Sequence, residues 1–210
     1  MTDTPITVYY DFLCPYAWRG LELAQLLRDE RGLEFTLRHY SLIQGNHPEN
    51  PNRAEPTWWL HEQPLTGDGL SAAHTGGLRA FLADQAAARQ GEEARWRFVL
   101  ALFRLVHAEK RPPADPATIQ AAAEGAGLDL ERFNADLADD AGLRAALAGD
   151  LQAAAGLKVF GTPTFQLPDG NAAYFRFAAQ PEVGSAGTLW DLYSGVLASG
   201  ARIETLKRPR

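Results

Sequence analysis

Apolar positions along this chain change their spacing twice, from strand-like to helical and back again. Near the start, Val8-Tyr9-Tyr10 is a β-branched and aromatic run that predicts a strand, and Asp11-Phe12-Leu13 carries it into Cys14 and Pro15. Proline fits the first helical turn because the N–H it lacks would be unpaired there anyway. A helix therefore opens at Pro15, with Trp18, Leu21, Leu23, Ala24, Leu26 and Leu27 as apolar positions and Arg31-Gly32 as its end. Alternation from Leu33 to Tyr40 predicts a second strand. Strands joined in this way pair in parallel through a right-handed crossover, and chemistry in such sheets gathers at their carboxyl ends. Cys14 lies at that end.

The pattern then lapses. Ile43 to Pro64 is rich in proline, asparagine and histidine, with Trp58-Trp59 in its middle. An irregular stretch of this length is expected to be functional or mobile, its tryptophans either roofing a cleft or packing on the core. From Ser71 to Ala155 the spacing is helical throughout, as at Leu78, Phe81, Leu82 and Gln85 and again at Trp96, Val99, Leu100, Phe103 and Val106. Asp115-Pro116 predicts a capped helix start, Gly125 and Gly127 its stop, and Asp129 the cap of the next helix, with Leu130, Phe133 and Leu137. A last helix of this group spans about Ala141 to Ala155, ending at Gly156. No fixed period makes it a repeat array.

Strand character returns in Val159 to Leu167. Pro168-Asp169-Gly170-Asn171 is a turn signal, and Ala172 to Phe177 is expected to return as the second strand of an antiparallel hairpin. Leu189, Leu192, Tyr193 and Val196 make a final amphipathic helix from about Ser185, which Gly200 can end. The expected fold class is α/β, with one domain formed by residues 1–66 and 156–210 and an all-helical insert formed by residues 67–155.

Composition narrows the chemistry. With 46% hydrophobic and 22% charged residues this is an ordinary globular chain, and its formal net charge of -6 gives no electrostatic reason to expect nucleic acid. The basic cluster Lys207-Arg208-Pro209-Arg210 reads as a solvated tail. Met1 to Pro5 enters the first strand with no secretory pattern, and no apolar run reaches membrane-spanning length, so a cytoplasmic location and no membrane partner are expected. The single cysteine excludes an internal disulfide and a cysteine-built zinc site. His74 and His107 have no partner at ligand spacing, and no metal is expected.

Cys14 is the main candidate for chemistry. A helix N-terminus presents free N–H groups and the positive end of the helix dipole, so a thiol there is expected to ionise more readily than the ordinary value of about 8.5 and to act as a nucleophile. The competing reading is a small buried hydrophobe. Asp11 either relays a proton or caps a turn. Tyr16 is expected to line the site and Trp18 to belong to the core. Nothing in the spacing requires His39 or His47 near the thiol.

The element order, together with Tyr10-Asp11-Phe12-Leu13-Cys14-Pro15-Tyr16-Ala17-Trp18 and Gly161-Thr162-Pro163-Thr164-Phe165, resembles the thioredoxin fold with a helical insert found in DsbA-like thiol-disulfide oxidoreductases. The resemblance covers nearly the whole chain. It implies that Cys14 is catalytic and that Pro15, Tyr16, Thr162 and Pro163 bind substrate. It also implies that Pro163 is cis and faces Cys14, while the Thr162 backbone pairs with an extended thiol substrate. The implied partner is a thiol or disulfide, on a protein or a small molecule, acting on a monomer or homodimer.

The chain departs from the family's Cys-x-x-Cys at one position. Ala17 stands where the resolving cysteine would be, which leaves one-thiol chemistry: a mixed disulfide released by glutathione or another low-molecular-weight thiol, or a sulfenic acid recycled by one. No permanently bound cofactor is implied. The opening motif is also similar to glutathione-dependent relatives, the kappa-class transferases and 2-hydroxychromene-2-carboxylate isomerases, which carry a serine followed by Pro-Tyr here and use it to activate the sulfur of bound glutathione. A third reading is a redox-inactive thioredoxin-like module that holds partners in the groove beside Pro163.

Overall fold

β1 (Ile6–Tyr10) and β2 (Phe35–His39) pair in parallel in the computed structural model, with Ile6 opposite Phe35 and Tyr10 opposite His39. The structure describes residues 5–67 and 69–205, so the Lys207-Arg208-Pro209-Arg210 cluster and the first four residues lie outside the described residues. Between the strands runs α1 (Pro15–Arg31), with proline in its first turn as expected. It is closed by Gly32, whose φ of 62° is the left-handed conformation that glycine adopts without strain.

Five helices then separate β2 from the rest of the sheet: α3 (Ala72–Ala88), α4 (Glu92–His107), α5 (Pro116–Gly125), α6 (Leu130–Leu137) and α7 (Asp140–Gly156). A single turn, α2 (Leu42–Gly45), precedes them. Their starts follow the expected chemistry: Asp115 accepts from the Ala117 N–H and Asp129 from the Arg132 N–H. β3 (Thr164–Gln166) and β4 (Ala172–Tyr174) complete a four-stranded sheet in the order β2-β1-β3-β4, with β3 antiparallel to both neighbours. α8 (Ala186–Ala198) ends the described fold. This is a thioredoxin-like α/β fold with inserted helices.

The hairpin strands are shorter than their apolar runs suggested. Val159 to Pro163 forms a loop that contains a cis Thr162–Pro163 bond, and the strand begins at Thr164. Leaving the ladder here has a consequence: the Thr162 carbonyl is available to something other than a strand.

Alternate residues of β1 divide the packing. Ile6, Val8 and Tyr10 join the main core, which continues without a break into the helices through Phe12, Phe81 and Phe103. Tyr9, on the other face, packs with Tyr40, Ala154 and Val159. The β2 edge does not stand open, because side chains of the inserted helices cap it. Arg95 of α4 donates to the Leu37 carbonyl at 3.1 Å, and the His39 N–H donates to Asp150 of α7 at 3.3 Å. Among the described residues no helix is long and apolar enough to cross a membrane.

Candidate active site

Cys14 is the residue before α1, in an extended conformation, and its backbone carbonyl accepts from the Ala17 and Trp18 N–H groups at 3.1 and 3.3 Å. Its thiol does not cap the helix. Instead Sγ donates to the Thr162 carbonyl at 3.3 Å, across the gap between the start of α1 and the loop before β3. Gly20 permits this closeness: a Cβ there would lie 2.5 Å from Cγ of Pro163. Helix and proline loop are therefore packed as closely as a missing side chain allows.

A cleft of about 360 Å³ opens over the thiol, within the range of small-molecule sites. Of the residues singled out in the sequence, Cys14, Pro15, Tyr16 and Thr162 line it, whereas Pro163 does not line it and packs against Gly20 of α1. Cys14 itself is only 7% exposed, so the cleft is where the thiol meets solvent. Ala17 is fully buried in the core beside it.

Asp11 is fully buried, and its two oxygens accept from the Leu13 N–H at 2.8 Å and the Leu42 N–H at 2.7 Å. It thus ties the cysteine loop to α2. Burial pushes its carboxyl up to about 6, against the pull of those two N–H groups. On the other side, the His107 ring at the end of α4 lies 2.8 Å from the Phe12 carbonyl through Nε2 and stacks on Trp18. Burial pulls the His107 ring below its ordinary pKa, as suits a neutral ring donating to a carbonyl.

Sequence reasoning missed part of the cleft wall: Leu42, Asn46, Arg53, Phe160 and Tyr174. Two of these, Asn46 and Arg53, come from the irregular stretch that held the two tryptophans, which themselves stay away from the cleft. Trp58 and Trp59 are half-buried against the core, and Trp58 stacks on His47 with ring centroids 4.0 Å apart. The stretch is ordered around Asn50, which is buried and donates to the Gln44 and Trp58 carbonyls while accepting from the Thr57 and Trp58 N–H groups. A buried asparagine using both ends of its amide is the signal of a structured loop.

His39 takes no part in the cleft. It is fully buried between Asp84, 2.7 Å from Nε2, and Asp150, 3.0 Å from Nδ1. Asp84 also accepts from Arg95 at 2.9 Å and from the Tyr10 hydroxyl. Burial opposes a charged His39, but hydrogen bonds to Asp150 and Asp84 outweigh it and raise the ring above its ordinary value. Burial likewise opposes ionisation of Asp84, yet the Arg95 guanidinium and His39 hold its carboxyl well below the usual range. His74 is buried on α3, its ring edge-on to Trp58.

A thiol at the head of the first helix, bonded to a carbonyl beside a cis-proline ahead of a β-hairpin, defines a thioredoxin-fold protein, here with helices inserted after β2. Residues 5–182 match the DSBA-like thioredoxin domain family, and the chain belongs to it. The ClpXP adapter protein SpxH of Shouchella clausii (strain KSM-K16) is 29% identical over 176 residues, a match covering 77% of this chain and 57% of that protein. The chain thus spans little more than half the length of this curated relative. Among solved structures, a 2-hydroxychromene-2-carboxylate isomerase superimposes with a TM-score of 0.61 at 18% identity, covering 96% of this chain and 100% of that one. The cytosolic disulfide reductase DsbM from Pseudomonas aeruginosa, solved with GSH, gives 0.57 at 18% identity, covering 92% and 99%. At these identities the likeness is one of fold.

Proposed function

We propose that this protein is a one-thiol thiol-disulfide oxidoreductase in which Cys14 is the catalytic nucleophile. The observation that carries the reading is the Cys14 Sγ, held 3.3 Å from the Thr162 carbonyl at the floor of a solvent-open cleft in a chain with no second cysteine. The Cys14 thiolate attacks one sulfur of a disulfide, forms a mixed disulfide with it and expels the other half as a thiolate. A glutathione thiolate, or that of another low-molecular-weight thiol, then attacks the mixed disulfide. A second such thiol completes the exchange, so that one disulfide is reduced to two thiols while two small thiols become one disulfide. Pro15, Tyr16, Thr162 and Pro163 position the substrate, and the Thr162 carbonyl that holds the resting thiol is the group an incoming extended sulfur compound would engage. A cytoplasmic setting belongs to the same reading, because small thiols are kept reduced there.

Oxidised glutathione and intact-mass analysis test it. The wild type is expected to take up one glutathione, reversibly with excess thiol, and Cys14→Ser to take up none and to lose disulfide-reducing turnover. If Cys14→Ser keeps a glutathione-dependent activity, the residue serves to orient bound glutathione, and the isomerase or transferase reading replaces this one.

A further inference from the structure

The cleft over Cys14 contains a cation that the protein leaves uncompensated. Arg53 reaches the cleft wall from the Asn50-centred loop, and each of its three nitrogens donates to a neutral oxygen: Nε to the Gly45 carbonyl at 2.6 Å, Nη1 to the Phe160 carbonyl at 3.1 Å and Nη2 to Asn46 Oδ1 at 2.7 Å. A guanidinium carries five N–H groups, so these bonds fix its plane and leave two donors and the full charge unmatched. Arg176 is in a similar position. It lies 3.8 Å over the Tyr16 ring and bonds the Tyr16 hydroxyl, and it also interacts with Tyr174, so it braces two aromatic walls of the same cleft. Arg19 flanks the Tyr16 ring at 5.1 Å.

Among the described residues none of these three arginines forms an ion pair with a carboxylate, whereas Arg31 pairs with Asp191, Arg95 with Asp84 and Arg144 with Asp140. In a chain with a net charge of -6, carboxylates to neutralise the mouth are not scarce. Among the described residues no carboxylate lines the cleft, which leaves a positive rim beside the thiol. The rim attracts anions during approach, and the immobilised guanidinium of Arg53 keeps one further N–H on each Nη nitrogen for a carboxylate.

Resting on the one-thiol reading above, we propose that the cleft selects small thiols and disulfides that carry carboxylates, and that Arg53 is the specificity-determining residue that seats the carboxylate. The size of the cleft favours a low-molecular-weight compound, and its aromatic walls, Tyr16, Phe160 and Tyr174, cover the apolar stem of such a molecule. The chemistry is unchanged: Cys14 forms a mixed disulfide with one half of the compound and the other half leaves as a thiolate, with the carboxylate staying on Arg53.

Three small disulfides of similar length provide the test: dithiodipropionate, which is anionic, hydroxyethyl disulfide, which is neutral, and cystamine, which is cationic. Rates of mixed-disulfide formation on Cys14 are followed by intact mass at low ionic strength and corrected for the intrinsic reactivity of each compound toward free cysteine. The wild type is expected to favour dithiodipropionate over cystamine by about ten-fold, a preference that shrinks with added salt. Arg53→Gln is expected to cut that ratio to about two- or three-fold, and Arg176→Gln to cut it less. Arg53→Lys, which keeps the charge and loses the fork, should fall between wild type and Arg53→Gln. The ratio is the readout, because a disturbed loop alters all three rates together. Equal corrected rates in the wild type, or an unchanged ratio in Arg53→Gln, overturn the charge selection and leave the one-thiol reading standing. Absence of an adduct with any of the three overturns both.

Discussion

Two polar centres sit within this fold, and they are finished to different degrees. Around Asp84, Tyr10, His39, Arg95 and Asp150 meet where the sheet abuts the inserted helices, and each side chain has a partner of matching charge or hydrogen-bonding sense. Around Cys14, by contrast, among the described residues the thiol bonds only a carbonyl, the buried Thr162 hydroxyl has no partner and Arg53 keeps two donors free. A satisfied network fixes one arrangement of elements, while an unsatisfied one has capacity left for a ligand. Stability should therefore reside in the first and chemistry in the second.

The largest effect should come from breaking the finished centre. Asp84→Ala removes the carboxylate that pairs with the buried Arg95 and one of the two that face His39, leaving Arg95 without its ion-pair partner. Loss of one partner from such a pair costs about 3–5 kcal/mol, readable as a shift in denaturant midpoint at neutral pH. The pH dependence has a defined sign. Asp84 is depressed in the folded state, so its contribution is present above the ordinary carboxylate value and lost as pH falls below it. His39 is raised, so its contribution is present below its ordinary value of about 6.5 and lost as pH rises through the folded value. Both limbs should flatten in Asp84→Ala; a variant as stable as wild type would show that the network does not lock the helices to the sheet.

A smaller effect lies at the seam between the two centres, in Asp11. Its folded value of about 6 lies above the ordinary 3.8, so the folded protein binds the extra proton and loses stability as pH rises between these values. The full cost of ionising it is about 2–3 kcal/mol above pH 6. Asp11→Asn removes that cost but offers an NH2 to one of the two N–H groups the carboxylate satisfied. The variant should be less stable than wild type near pH 4, and the deficit should narrow by about 2 kcal/mol on reaching pH 7. Urea unfolding at both pH values measures it, and a deficit that widens with pH would contradict the burial of the carboxylate.

The two centres also differ in how far the sequence disclosed them. Cys14 and Pro163 stand in local patterns, a strand running into cysteine and proline and a Gly-Thr-Pro ahead of a hairpin, so the thiol, the helix start and the opposing loop were legible. Arg53 was not, because a short-range pattern cannot say that a loop folds back around Asn50 onto the carbonyls of Gly45 and Phe160, the latter 107 positions further along the chain. The Asp84 centre left a trace that went unused. Asp84 lies three residues after Phe81 on the apolar face of α3, and Arg95 four before Val99 on that of α4. Charges of opposite sign on the core faces of successive helices signal a buried pair. His39 ended its strand as an ordinary alternating residue, and only the packing of α3 and α7 on that edge gave it two carboxylates.

The smallest expected change in stability, and a sharp probe of the unfinished centre, is Ala17→Cys. Position 17 is fully buried one turn into α1, and its N–H bonds the Cys14 carbonyl at 3.1 Å. One added sulfur there should cost no more than about 1–2 kcal/mol in the reduced protein through overpacking. Its consequence is chemical. Exposed to oxidised glutathione, the wild type is expected to hold its adduct until an external thiol arrives. In the variant the introduced thiol attacks the Cys14 sulfur, expels glutathione as its thiolate and leaves a protein disulfide, two mass units below the reduced chain. Cysteines one helical turn apart fall within the separation a disulfide spans. Intact mass after a short exposure separates the outcomes. A resolved disulfide shows that only the missing thiol makes this a one-cysteine site. A persistent adduct would mean that the packing which buries Ala17 keeps position 17 from the Cys14 sulfur, so that the cleft is one-thiol by construction and regeneration must come through the Arg53 side, from solution.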